Sequence, residues 1–364
     1  MYHDPVVGYW ALSRYADVTA AARNFTDFSS AHGAGMSKRK GETMLASDPP
    51  NHTRLRKLVS HAFKPGVIEA LAPRINAICH ELIDSSAVAR GCFELVDDFA
   101  APLPVIVIAD LLGFDPARRD DYRRWSRALI EVFSNPDSLQ AQWNYRRTGP
   151  EFFAYLAEVG QARMRSPRDD LISLLIQARE ERDALSVNEI AFSCELFLAA
   201  GNETTTSLIG NAALALAANP GEAKQVINNS ELIPSLIEEA IRFDPPVQAD
   251  FRTTTARVTV DGVEIPSGAK VALLWAAANR DPEVFAEPDR FLVTRTPNPH
   301  VGFGNGIHYC LGAPLARLQA RIAATVLLER FRHLAPNPAF PAERNDATSL
   351  FRGLRRLPMS FELR

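Results

Sequence analysis

Ten residues near the end of the chain, Phe303-Gly304-Asn305-Gly306-Ile307-His308-Tyr309-Cys310-Leu311-Gly312, constrain the fold more than any other feature. They hold three glycines, one histidine and one cysteine, and Ala313-Pro314-Leu315-Ala316-Arg317-Leu318 follows as a helix start. Proline is tolerated in a first helical turn, where an N–H would have no partner anyway. The span therefore predicts one thiol on a tight glycine loop at a helix N-terminus. Unpaired N–H donors and the partial positive charge of that helix end favour a thiolate over a thiol. Gly304, Gly306 and Gly312 let the backbone turn sharply and approach a flat ligand closely. A buried free cysteine beside a glycine turn is the competing reading. A zinc site is weaker still. His308 and Cys310 make one pair, and no second C-x-x-C or H-x-x-x-H pair completes a tetrahedral set.

The chain is long enough for a large core, with 364 residues of which 46% are hydrophobic. No long Pro/Gly/Ser-rich stretch separates two cores and no repeat is visible. The expectation is a single domain over 1–364 built around a cofactor. Basic and acidic residues nearly balance, 40 against 43, which excludes an overall nucleic-acid footprint. Cys79, Cys92, Cys194 and Cys310 lack the spacing of a secreted disulfide scaffold, as suits a reducing cytosol. No apolar run reaches membrane-spanning length and no signal-peptide pattern opens the chain. A soluble, cytoplasmic protein without a membrane partner is expected.

The hydrophobic period changes along the chain. A short strand is expected over 8–13 and a helix over 15–25, followed by a glycine-rich loop over 29–47. Asp48-Pro49-Pro50 predicts a helix start with Asp48 as N-cap. Helical spacing dominates over 55–185, with breaks near Pro65, Gly91, Pro116, Pro136 and Pro167. Ser186-Val187-Asn188-Glu189 reads as a capping box that opens the longest helix, ending before Pro220. About 32 residues at 1.5 Å rise give roughly 48 Å. A helix through 236–242 stops at Asp244-Pro245-Pro246. Residues 257–265 then read as a β-hairpin turning at Asp261-Gly262, and 270–275 as a further strand. A last long helix is expected to about 331, then loop and strand over 352–361. The fold class is mainly α with a smaller β part.

The cysteine loop resembles the haem-ligand loop of the cytochrome P-450 family, F-G-x-G-x-H-x-C-x-G, with every fixed position met. Ala200-Gly201-Asn202-Glu203-Thr204-Thr205 is similar to the family's A-G-x-[D/E]-T-T stretch. Glu239-Ala240-Ile241-Arg242 matches its E-x-x-R, and Pro288-Asp289-Arg290-Phe291 its P-x-R-F. Asp48-Pro49-Pro50-Asn51-His52-Thr53-Arg54-Leu55-Arg56 also resembles a family segment. The likeness covers about 8–361. The first helix region of the family looks short or absent. The resemblance implies the cytochrome P-450 fold, with haem b between the long central helix and the cysteine-loop helix.

It implies Cys310 as the axial iron ligand, since a cysteine thiolate donates electron density that favours O–O cleavage. His52, Arg56, Arg252 and His308 are implied as partners of the haem propionates. Ala200, Phe303, Gly304 and Gly312 are implied to touch the cofactor. An ordinary surface histidine is the competing reading for His52, and His300 reads as structural. Glycine and paired threonines weaken a helix interior, and the Thr204 hydroxyl can reach the Ala200 carbonyl. The resemblance implies Glu203 and Thr204 as an acid–alcohol pair that delivers protons to oxygen. A plain helix kink is the alternative. Glu239, Arg242 and Arg290 are implied to form a buried charge network that holds the cysteine loop. Segments 29–47 and 129–155 would cover the pocket. Phe197, Val247, Gln248, Leu350 and Phe351 would line it, beside Ala200.

The implied activity is a haem-thiolate monooxygenase that inserts one oxygen atom from O2 into a medium-sized, largely apolar molecule. Secondary or xenobiotic metabolism is the expected setting. Electrons would come from a ferredoxin-type partner and its NAD(P)H-dependent reductase, because no flavin or cluster segment is fused to the chain. Arg54, Lys57, Lys64 and Arg317 offer a basic docking face for it. A peroxide-driven haem-thiolate peroxygenase and a non-enzymatic haem-thiolate sensor or accessory protein are the alternatives. Glu203 and Thr204 count against the first, and the lack of a visible output domain against the second.

Overall fold

Apolar runs on two different periods build the chain of this computed structural model, which describes residues 1–33, 43–60, 63–85, 91–134, 138–177, 185–345 and 350–364. Described residues within 1–54, 211–313 and 349–352 form one compact unit, and those within 55–210, 314–348 and 353–364 form a second. The middle of the expected 29–47 loop lies outside the described residues.

The first unit is organised by a five-stranded sheet. Its order is Tyr2–Asp4, Tyr9–Leu12, Lys270–Leu273, Asp250–Thr254 and Phe28–Ser29. Tyr9–Leu12 runs parallel to Lys270–Leu273, and the other pairs are antiparallel. Lys270–Leu273 is buried throughout; Val271-Ala272-Leu273 is the apolar run expected of an interior strand, and the Lys270 ammonium donates to the Gly33 carbonyl at 3.1 Å. Leu12, Val18, Phe28, Val271, Trp275 and Val301 pack into one cluster beneath it. The strand ends at Leu273, two residues earlier than expected. Trp275 opens a short helix, Trp275–Ala278, and its indole N–H donates to Asp250 at 3.2 Å. The hairpin Val258–Val260 and Val263–Ile265 forms as expected. Asp261 (φ 51°) and Gly262 (φ 75°) both adopt the left-handed conformation that a two-residue turn of this hand requires.

Helix Asn51–Ser60 begins where expected, but Asp48 does not cap it with its side chain. The Asp48 carboxylate accepts from the Ser29 hydroxyl and the Ser30 N–H (2.9 Å), and the Asp48 backbone carbonyl accepts from His52 N at 2.9 Å. The carboxylate therefore ties the helix start to the sheet edge at Phe28–Ser29.

The second unit is mostly helical. Ala72–Ile83, Pro102–Leu112, Arg119–Ser134, Leu139–Arg165 and Leu171–Gln177 follow in order. Pro102–Leu112 is apolar nearly all round and is accordingly buried on every face but one. It stops at Gly113, whose φ of 74° gives a left-handed C-cap. Tyr122, Trp125, Phe152 and Tyr155 stack between the third and fourth of these helices, with the two tyrosine hydroxyls 3.0 Å apart. The long helix Val187–Ala218 has the expected length of 32 residues. Its capping box is reciprocal: Glu189 N–H donates to Ser186 Oγ at 3.1 Å, and Ser186 N–H donates to the Glu189 carboxylate at 2.8 Å. A three-stranded sheet orders Phe93–Glu94, Pro358–Leu363 and Phe331–Pro336, and Glu343–Arg344 pairs with Leu354–Arg356. Among the described residues no helix is long and apolar enough to cross a membrane.

Candidate active site

The cysteine loop is held from several sides of the first unit. Val301 N–H donates to Asn279 Oδ1 at 2.7 Å, and Cys310 N–H closes the loop on the Phe303 carbonyl at 2.9 Å. Asn305 Oδ1 accepts from Gly306 N–H at 2.7 Å and from Arg23 Nε at 2.9 Å. Gly306 sits at φ +72°, and a Cβ there would lie 2.4 Å from the Ala22 carbonyl oxygen. This glycine is thus required by packing against helix Tyr15–Arg23, in addition to the close approach to a ligand that its motif position implies. Gly302, outside the motif, is equally confined: a Cβ would meet Ile241 Cγ2 at 2.5 Å. Helix Ala313–Arg330 starts three residues after the thiol, which is partly exposed. Burial pushes the Cys79 and Cys194 thiols up to about 12, so neither is a thiolate at neutral pH.

Three sequence-selected donors lie in the same unit. The buried His52 ring meets the His308 ring edge-on, with centroids 4.4 Å apart. Arg252 is 3% exposed on an interior strand. Its one hydrogen bond to protein among the described residues runs from Nη1 to the Phe251 carbonyl at 2.9 Å. Burial lowers the Arg252 guanidinium from its ordinary value, opposed by the charges of Asp250 and Asp48. A guanidinium that deep, with most donors not engaged by protein, is suited to an anionic acceptor.

In the second unit, Thr204 Oγ1 donates to the Ala200 carbonyl at 2.7 Å, the back-bond the sequence predicts. Glu203 is its neighbour and accepts from Asn345 Nδ2 at 3.3 Å. Burial raises the Glu203 carboxyl above its ordinary range; the Asn345 bond and the Arg127 charge oppose the rise. Ala200 is exposed and Arg56 half-buried. Phe197 is 6% exposed, and its ring packs on Phe63 with centroids 5.4 Å apart. Of the residues expected to line the pocket, four come together in the first unit. Val247 bridges Phe351, and Gln248 N–H donates to the Leu350 carbonyl at 2.8 Å. The Gln248 side-chain amide is turned to the Pro245 carbonyl at 2.6 Å.

The charge network corrects one expectation. Glu239 and Arg242 pair fully buried, Nε to Oε2 at 2.7 Å and Nη2 to Oε1 at 2.8 Å. Their third member is Arg295, not Arg290. Arg295 Nε reaches both Glu239 oxygens at 3.1 and 3.2 Å, and its side chain is 6% exposed. The Arg290 side chain is 61% exposed and faces Glu287 at 2.5 Å. The turn at Glu287 (φ 47°) and the inward Phe291 leave Arg290 pointing out; only its backbone carbonyl joins, accepting from Arg242 Nη2 at 2.8 Å. No spacing rule singled out Arg295 within Val293-Thr294-Arg295. His300 binds Glu238 at 3.0 Å, the structural role expected of it.

A chain rich in helix, with a glycine-bound cysteine opening its last long helix, is the class defined so far. A family model described as Cytochrome P450 matches residues 11–350. Cytochrome P450 107B1 of Saccharopolyspora erythraea is 41% identical over 96% of this chain and 88% of its own length. Cyclomarin C epoxidase of Salinispora arenicola is 40% identical over 89% of this chain and 84% of its own length. Among solved structures, P450BioI in complex with an acyl carrier protein ligated to hexadec-9Z-enoic acid superposes with a TM-score of 0.92. It is 34% identical and covers 100% of this chain and 94% of that one. The chain belongs to the cytochrome P450 family, and it is a cytochrome P450 monooxygenase. The family is haem-thiolate, and its bacterial members include enzymes of secondary metabolism.

Proposed function

We propose that the whole chain, 1–364, acts as one domain that holds haem b through the Cys310 thiolate and oxidises a medium-sized, largely apolar molecule. The observation that carries this reading is the cysteine loop, closed by the Cys310–Phe303 bond and set before helix Ala313–Arg330. The donor set fits the cofactor: buried Arg252, with His52 and His308, offers cationic and N–H partners for two carboxylates. Arg56 is the fourth proposed partner. When bound, haem supplies the oxidative chemistry that no side chain provides.

The remaining work falls to this chain's own groups. Glu203, raised by burial, keeps a proton on its carboxyl closer to neutral pH than a free glutamate does. Thr204 Oγ1 holds its proton against the Ala200 carbonyl and is one rotamer away from presenting it elsewhere. Together they form a carboxyl and a hydroxyl poised to pass protons inward. Glu239, Arg242 and Arg295 fix the chain leading into the cysteine loop. Val247, Leu350 and Phe351 supply the apolar wall. Electrons are assigned to a separate ferredoxin-type protein, docking on Arg54, Lys57, Lys64 and Arg317.

Two variants test the proposal. Cys310→Ala should lose the red-shifted Soret band of the ferrous–carbonyl complex; persistence of that band refutes the ligand assignment. Thr204→Ala should keep haem and divert reducing equivalents to peroxide. Unchanged coupling of NADPH use to product refutes the proton-delivery role.

A further inference from the structure

Helices Arg119–Ser134 and Leu139–Arg165 flank an open cleft of about 330 Å³, partly within the 129–155 segment expected to cover the pocket, and its side chains have no role in the chemistry proposed above. Arg123, Arg124, Arg127 and Arg147 line it against two carboxylates, Asp120 and Glu131. Its walls are pinned. Arg124 Nη2 spans the two helices to Glu151 at 2.6 Å and also meets Asp121 at 2.9 Å. Asn144 Nδ2 donates to Glu131 at 2.9 Å.

The other three arginines are not neutralised in this way. Arg123 and Arg127 stand at i, i+4 on one helix face, where like charges repel. Neither makes an ion pair or hydrogen bond among the described residues. Arg147 stacks on the exposed ring of Trp143, 4.9 Å from its centroid, which leaves the guanidinium edge open. All three arginines are exposed and carry no ion pair among the described residues, so their guanidinium forks stand open to solvent around one cleft. Such forks match the geometry of carboxylate and phosphate oxygens.

We propose that this cleft binds an organic molecule bearing an oxyanion, a carboxylate or a phosphate ester, through Arg123, Arg127 and Arg147. The organic body follows from size: the cleft is several times larger than a phosphate group. Ala128 and the methylene stems of the arginines give that body an apolar surface. Haem ligation plays no part in this proposal; Arg127, whose charge also reaches Glu203, is the one residue it shares with the surroundings of the proton-delivery pair.

The test is calorimetric titration of the haem-loaded enzyme with octyl phosphate, octanoate and uncharged octanol, at low and high salt. Arg127→Gln with Arg147→Gln is the test variant, and Arg332→Gln, an exposed arginine elsewhere, is the control. Circular dichroism checks the folding of each. Both anions should bind the wild type, weaken with salt, and lose about tenfold or more in affinity in the double variant. The control should match the wild type, and octanol should not distinguish any of them. Tighter binding of octyl phosphate assigns the ligand as a phosphate ester, and tighter binding of octanoate as a carboxylic acid. Equal anion affinity in the wild type and the folded double variant overturns the proposal. Because the readout is heat of binding and not turnover, this result stands apart from the fate of the Cys310 and Thr204 tests.

Discussion

Replacing Arg295 with methionine isolates what the buried network contributes. The guanidinium bonds Glu239 through Nε and donates to the carbonyls of Ala286 (2.6 Å), Glu287 (3.1 Å) and Arg290 (3.1 Å). Losing a charge-assisted bond to a buried carboxylate costs about 1.5–3 kcal/mol. The Ala286 and Glu287 carbonyls also lose a donor, whereas Arg290 keeps Arg242. Glu239 keeps Arg242, Leu292 N–H (2.8 Å) and Asn298 (3.2 Å), so its charge is not abandoned. The total falls at about 1.5–3 kcal/mol, because water serves the exposed Ala286 and Glu287 carbonyls and Glu239 stays paired, short of the cost of an uncompensated buried charge. Glu239→Gln should cost at least as much, because two buried guanidiniums then share no anion. Arg290→Ala should be silent, since its side chain lies in solvent and its contribution is a backbone carbonyl. The assay is urea unfolding of the haem-loaded enzyme followed by circular dichroism. If Arg290→Ala destabilises as much as Arg295→Met, the assignment of the third member is wrong.

Two further outcomes follow from the site. The Glu203 carboxyl is raised by burial from an ordinary value of 4.5, so its protonated form favours folding and that contribution is lost as pH rises above the unfolded value. Glu203→Gln should therefore gain stability relative to wild type as pH climbs from about 4.5 to neutral; a difference that stays constant or shrinks refutes the burial argument. Gly306→Ala should shorten haem retention measured by transfer to apomyoglobin, because its Cβ would strike the Ala22 carbonyl oxygen at a φ that alanine rarely adopts. Retention equal to wild type would show that the loop relaxes freely.

The features legible in the sequence were those whose cause lies within a few residues. The capping box at Ser186, the turn at Asp261-Gly262 and the Thr204 back-bond all depend on near neighbours, and each has the expected geometry. The readings that failed depend on where distant segments arrive. Asp48 looked like an N-cap because the helix starts there, yet Ser29 and Ser30 bring donors from a strand and take its carboxylate. Arg290 looked like the network partner because it stands in a recognisable motif, yet the turn at Glu287 aims it outward while Arg295 reaches Glu239. The charged cleft was invisible for the same reason. Its arginines are scattered over Arg123 to Arg147 in sequence and become one feature only when two antiparallel helices pair. Motif spacing thus reports chemistry that the backbone enforces locally. Which buried charge meets which partner is decided by tertiary arrival, and there a cation a few residues outside the motif is as good a candidate as the one inside it.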